Sequence, residues 1–200
     1  MSLTDAQIDR YSRQIIVPHI GGRGQERLLA AHILLSGDAC DIEAPLAYLV
    51  GTGVGTIALR VSDEHRGMAE KIAAMPELNA DVSVALTNQI QSQLDLALLI
   101  IGSEASRKVA DEIANRRDVR ALVIARLDLP GKIAVIPDTQ GARVLDSSMF
   151  AVVGECSDAA DFIAMLATAE AFKLLVGFAE NPAPSIFEFD GYETRVRAHP

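Results

Sequence analysis

Closely spaced glycines, cysteines and histidines are the residues of this chain whose types and spacing could do chemistry. Gly51-Thr52-Gly53-Val54-Gly55 has the composition of a phosphate-binding loop, in which glycines let backbone amides approach an anion. Such a loop follows a strand and opens a helix, because the helix N-terminus supplies the donors. Here an apolar helical run precedes the glycines and a strand-like run, Thr56 to Val61, follows them, so the segment reads as a helix-to-strand turn. Cys40 and Cys156 are far apart and form no CxxC, which excludes a zinc site built from paired CxxC motifs and argues against a disulfide in a reducing compartment. Cys156 precedes a helix N-terminus, a setting that can lower a thiol pKa. No base or orienting group is suggested beside it, so it reads as a small buried thiol. His19, His32, His65 and His199 have no i,i+4 partner, and no metal site is expected.

The elements that must position these residues alternate between helix and strand. Thr4-Asp5-Ala6-Gln7 is a capping box that starts a helix over about Asp5 to Tyr11. A glycine turn at Gly21 to Gly24 leads into a turn or two of helix, Gln25 to Ala31. The apolar run His32 to Ser36 is then the first buried strand. Asp41 is placed to cap a helix through Val50 that stops at Gly51, with Pro45 tolerated in its first turn. Next come the strand Thr56 to Val61, a helix from His65 to Met75 ended by Pro76, the strand Asp81 to Leu86 and the very apolar strand Leu94 to Ile101. Ser103 or Ser106 caps a helix to about Arg117 whose inner face carries Val109, Ala110 and Ile113. Ala121 to Ala125 and Lys132 to Ile136 are further strands. Residues 137–156 are irregular, Ser157 caps a helix Asp158 to Val176 closed by Gly177, and Ile186 to Phe189 and Thr194 to Ala198 flank the turn Asp190-Gly191. The alternation predicts an α/β sheet with helices on both faces.

At 200 residues and 50% hydrophobic content, the chain is sized for one domain, residues 1–200. It divides into a helical arm (1–31), a Rossmann core (32–136) and an irregular segment with a long helix and terminal hairpin (137–200). The longest apolar run is strand-length and holds Asp95, short of the roughly 20 residues of a membrane span. A net charge of −9 argues against nucleic acid or an anionic membrane as partner. With no cationic stretch leading into an apolar run at the start, a cytoplasmic protein is expected.

Two sets of residues carry a resemblance. The first is Arg10-Tyr11-Ser12-Arg13-Gln14-Ile15-Ile16, then Gly21-Gly22-Arg23-Gly24-Gln25 and Leu28-Leu29, before a buried strand ending in Gly37. The second is Ala169-Glu170-Ala171-Phe172-Lys173-Leu174-Leu175-Val176-Gly177, followed by a closing antiparallel pair. Together they resemble the ThiF/MoeB/HesA family, the bacterial relatives of ubiquitin-activating E1 enzymes, which adenylate the C-terminus of a small ubiquitin-like protein. The resemblance implies an E1-like Rossmann variant: a mainly parallel twisted sheet with helices on both faces and a C-terminal antiparallel hairpin.

It also implies where an ATP site would lie, and there the residues depart from the family pattern. The family's first strand ends in GxGGLG; here Gly37-Asp38-Ala39-Cys40-Asp41-Ile42 keeps only Gly37. Asp38, Asp41 and Glu43 put carboxylates where a triphosphate would sit, at a cost of about 1 kcal/mol each at ~4 Å in water and about 4 at the effective dielectric of a cleft. Magnesium recruited by Asp38 and Asp41 would reverse the sign. Asp63 matches a ribose acceptor and Lys71 a phosphate contact; their bland readings are a solvated loop acid and a helix-face charge. Ser103 takes the position of an Asp that helps hold metal and adenylate, with Glu104 offset by one, and the zinc CxxC pairs are missing. Arg13 matches the arginine that, in the family's dimers, reaches across the interface to the neighbour's ATP phosphates. Arg10, Tyr11 and Gln14 match too, and the whole set would equally serve to dock the N-terminal helix.

The expected function is a degenerate E1-like subunit with no catalytic residue of its own. It would form a homodimer, or a heterodimer with an active paralogue, and act on a ubiquitin-like or sulfur-carrier protein. The alternative is an adenylyltransferase with Mg-ATP bound at a site rebuilt around Gly37, Asp38 and Asp63.

Overall fold

The computed structural model describes residues 2–61, 67, 70, 74, 79–89, 92–114, 116, 118–128, 130–139, 159–178, 183–190 and 193–198. Its helices are α1 (Asp5–Ile15), α2 (Gly21–Ala30), α3 (Ala39–Thr52), α4 (Glu104–Ala114) and α5 (Ala160–Val176). Its strands are β1 (His32–Ser36), β2 (Thr56–Arg60), β3 (Ser83–Leu86), β4 (Leu94–Ile101), β5 (Val119–Arg126), β6 (Gly131–Ile136), β7 (Ser185–Phe189) and β8 (Thr194–Ala198).

All eight strands form one sheet in the order β3-β2-β1-β4-β5-β6-β7-β8. The first five are parallel, while β6, β7 and β8 run antiparallel to their neighbours. The expected E1-like Rossmann sheet is present, and its antiparallel part includes β6 as well as the terminal hairpin. Alternation along β4 divides the core. Leu96, Leu98 and Ile100 face a layer of α2, α3 and α5 built on Leu28, Ile42, Leu46 and Ala167. Ala97, Leu99 and Ile101 face the other side, where Ala110 and Ile113 of α4 cover them. Among the described residues no helix is long and apolar enough to cross a membrane.

Several element bounds differ from expectation. The capping box forms, with Gln7 N donating to Thr4 Oγ1 at 3.3 Å, but α1 continues past Tyr11 to Ile15. The glycine turn is instead the first turn of α2: only Gly21 adopts positive φ, and Gly24 packs so closely that a Cβ there would lie 3.2 Å from Ile20 and 3.5 Å from Val176. Helix α3 begins at Ala39, so Asp38 rather than Asp41 holds the N-cap position and Pro45 lies beyond the first turn. It ends one residue past Gly51, with Gly53 at φ 83° closing the C-terminus, and the glycine-rich segment is the helix-to-strand turn expected from its order. Helix α4 stops at Ala114, short of Arg117. Asp63, Lys71, most of the His65 to Met75 helix, residues 140–158 with Cys156 and Ser157, Gly191 and His199 lie outside the described residues.

Candidate functional site at the β1–β4 crevice

Going from β1 the chain builds β2 and β3 on one side, then returns to build β4 and β5 on the other. In open α/β sheets that switch point opens a crevice beyond the carboxyl ends of the strands, where ligands bind. The residues at its mouth here are Gly37 and Asp38 after β1, and Gly102 and Ser103 after β4.

Gly37 is required by proximity. A Cβ would stand 2.7 Å from Ile42 Cγ2 and 3.1 Å from the Ile100 carbonyl, so only glycine lets the end of β1 pass between α3 and β4. Asp38 follows in extended conformation (φ −76°, ψ 149°) at the N-cap of α3, yet its carboxylate makes no capping bond to that helix. It turns across the crevice instead, where Oδ2 accepts from Ser106 Oγ at 3.0 Å, and the residue is only 4% exposed. Ser106 Oγ also accepts from the amides of Gly102 (3.1 Å) and Ser103 (3.0 Å), while Ser103 Oγ accepts from Ser106 N at 3.2 Å. Ser103 and Ser106 therefore cap α4 together, and their amides are taken by a hydroxyl rather than left open toward an anion.

The next residues close the mouth further. Asp41 packs against Gly102 so tightly that a Cβ on Gly102 would collide with its carboxylate. Exposed Cys40 donates its thiol to Asp41 Oδ1 at 3.5 Å. Partial burial of the sulfur, then the carboxylates of Asp41 and Asp38, push the Cys40 thiol pKa up and keep it protonated at neutral pH. On the β5 side, buried Arg126 pairs with buried Asp128 and donates to the Pro130 carbonyl at 2.9 Å, so its charge is spent locally. Neither residue of that pair was legible as a site. An arginine ending an apolar strand with an aspartate two positions on was the available signal. Among the described residues no group of three metal-ligating side chains lies within reach of one ion.

The N-terminal arm divides the matched residues by role. Arg10 Nη1 donates to Asn79 Oδ1 at 2.7 Å and to Asp81 Oδ2 at 2.9 Å, and Gln7 Nε2 donates to Asp81 Oδ1 at 3.1 Å. Tyr11 is 1% exposed, and its hydroxyl lies 3.2 Å from Asn79 Oδ1. Asn79 Nδ2 in turn donates to the Val50 carbonyl at 2.7 Å. The tyrosine ring lies on Gly53, where a Cβ would come within 2.6 Å of it. Burial raises the Tyr11 pKa, so the hydroxyl stays protonated. Arg10 and Tyr11 thus dock α1, as one of their two readings required, and Asn79 and Asp81 are partners that no local pattern announced. Arg13 differs: it is exposed, and its side chain makes no hydrogen bond or ion pair among the described residues.

The fold is shared with solved structures. PaaA superposes with a TM-score of 0.62 at 16% identity, covering 98% of this chain and 75% of that one. E. coli MccB superposes with a TM-score of 0.67 at 12% identity, covering 95% and 71%. In sequence, the adenylyltransferase and sulfurtransferase uba4 of Pyricularia oryzae is 36% identical over 95 residues, 44% of this chain and 19% of that protein. The sulfur carrier protein adenylyltransferase of Thermus thermophilus is 41% identical over 73 residues, 33% and 27%. The SAMP-activating enzyme E1 of Haloferax volcanii is 30% identical over 135 residues, 58% and 50%. This chain is a relative of the E1-like ThiF/MoeB/HesA proteins. No family model matches it. It spans between 19% and 50% of the length of these three curated E1-like relatives.

Proposed function

We propose that this E1-like chain has lost ATP chemistry at its β1 loop and serves as a binding subunit in the activation of a ubiquitin-like or sulfur-carrier protein. The observation that carries the reading is the Asp38 carboxylate, 4% exposed and tied to Ser106 Oγ at 3.0 Å, in the crevice where a triphosphate needs bare backbone amides. Asp41 against Gly102 adds a second carboxylate at the same mouth. The exposed, unengaged Arg13 supports a dimer, with itself or with an active paralogue, in which this residue reaches the partner's nucleotide.

The test is calorimetric titration with Mg-ATP under conditions that detect a Kd up to about 1 mM, or about −4.1 kcal/mol. No binding is expected. Heat at one site per chain overturns the reading and favours the alternative, an adenylyltransferase rebuilt around Gly37, Asp38 and Asp63 with Mg²⁺ on Asp38 and Asp41. That alternative is supported by the adenylyltransferase activity for which the relatives are named. In a reconstituted pair, Arg13→Ala should slow adenylation by the partner without altering assembly, and an unchanged rate removes the in-trans role.

A further inference from the structure

The opposite end of the sheet holds a cavity of about 600 Å³. It lies at the amino ends of β4 and β5 and the C-terminal ends of α2 and α5, with the body of the sheet between it and the Asp38 crevice. That volume is within the range of small-molecule sites. The apolar part of its lining is Ala30 from α2, Leu174 and Leu175 from α5 and Pro137 after β6, with Leu96 and Ala121 of the strands buried beneath.

Two guanidinium groups stand over these walls. Arg27 donates Nη1 to the Val176 carbonyl at 2.9 Å and lies directly on Gly177, where a Cβ would collide with it. Arg120 is 77% exposed, with Nη1 3.3 Å from Asp95 Oδ1. Asp95 is already engaged, since its Oδ2 accepts from the His32 amide at 3.0 Å. A guanidinium has five N–H donors, and these contacts occupy only part of each fork. Among the described residues the cavity therefore presents more cationic donors than Asp95, its one lining carboxylate, can absorb.

We propose that this cavity binds a small organic anion, with an apolar body against Pro137, Leu174 and Leu175 and a carboxylate, phosphate or sulfonate head held by Arg27 and Arg120. Chemically, the paired arginines match the planar or tripodal oxygens of such a head. The chain's net charge of −9 repels anions in general, so a preference for a charged ligand over its neutral analogue reports these two residues and not the bulk surface.

The probe is anilinonaphthalene sulfonate, titrated into the full chain by fluorescence beside phenylnaphthylamine, which has the same rings without the sulfonate. The expected result is saturable binding of the sulfonate at one site per chain, about tenfold tighter than the neutral probe. Arg120→Ala, at an exposed position, should erase most of that preference and leave the neutral probe unchanged. Ala30→Trp, filling the cavity from another exposed wall position, should weaken both. Equal affinity for the two probes in the wild type, a preference that survives Arg120→Ala, or full binding of both by Ala30→Trp each overturns the proposal.

Discussion

Replacing Ser106 by alanine removes an oxygen that joins Asp38 to the turn before α4. The amides of Gly102 and Ser103 lose their acceptor, and Asp38 Oδ2 loses a donor, in a site where Ser106 is 2% and Asp38 4% exposed. Loss of a helix cap costs about 1 kcal/mol. A hydrogen bond to a charged group contributes about 1.5–3 kcal/mol. Because both effects pass through one atom they do not add fully, and the expected loss is roughly 2–4 kcal/mol. Urea unfolding measures it: the midpoint should fall with the slope unchanged, since the surface exposed on unfolding is the same. A cycle with Asp38→Ala separates the two parts. If Asp38 and Ser106 are bonded as described, the double variant should lose less than the sum by about 1–2 kcal/mol. A coupling near zero, or a loss under about 0.5 kcal/mol for Ser106→Ala, would refute the closed crevice on which the functional proposal rests.

Other outcomes follow from the same contacts. Asn79→Ala leaves the Val50 carbonyl and Tyr11 hydroxyl without their shared partner and should cost about 2–4 kcal/mol; limited proteolysis should then cut within α1 first, and unchanged resistance would remove the docking role of Asn79. Gly53→Ala forces a Cβ into the Tyr11 ring at φ 83° and should cost more than about 2 kcal/mol, read by thermal melting, whereas Gly51→Ala, with open space at its Cβ, should not. Because the Cys40 pKa is raised, less thiolate is present at any given pH, and alkylation of Cys40 in a Cys156→Ser background should rise at higher pH than for an ordinary thiol. Asp41→Asn should bring that profile down, and coincident profiles would exclude Asp41 as a cause.

What could be read from the residues alone followed from locality. The bounds of β1 and β4 match the apolar runs that mark them, since nearly continuous burial leaves few polar positions to confuse a strand's ends, and those of β8 match the segment that follows the turn signal Asp190-Gly191. Gly21 to Gly24 misled because glycine is costly inside a helix, and here the close approach of Ile20 and Val176 outweighs that cost. Pro45 misled in the same way: placing it in a first turn moved the cap to Asp41, whereas α3 starts at Ala39 and puts Asp38 at the N-cap position, its carboxylate bonded across the crevice to Ser106. The Asp38 to Ser106 bond spans 68 residues, as does the bond from Tyr11 to Asn79. Neither has a local pattern, so the residue types at the crevice were legible while their partners were not.

The Tyr11 to Asn79 clasp also sets an order of events in folding. Its two halves are 68 residues apart, so during synthesis at about 5–20 residues per second the first helix waits roughly 3–14 s for its anchor to be made. Loop closure over that distance must be met before the contact returns any free energy, which puts docking of α1 after the β1–β2 pairing, whose partners His32 and Thr56 are nearer in the chain. Substitutions at Asn79 should accordingly hasten unfolding and leave the refolding rate almost untouched. The arm that carries Arg13 is thus made first but held by residues made well after it.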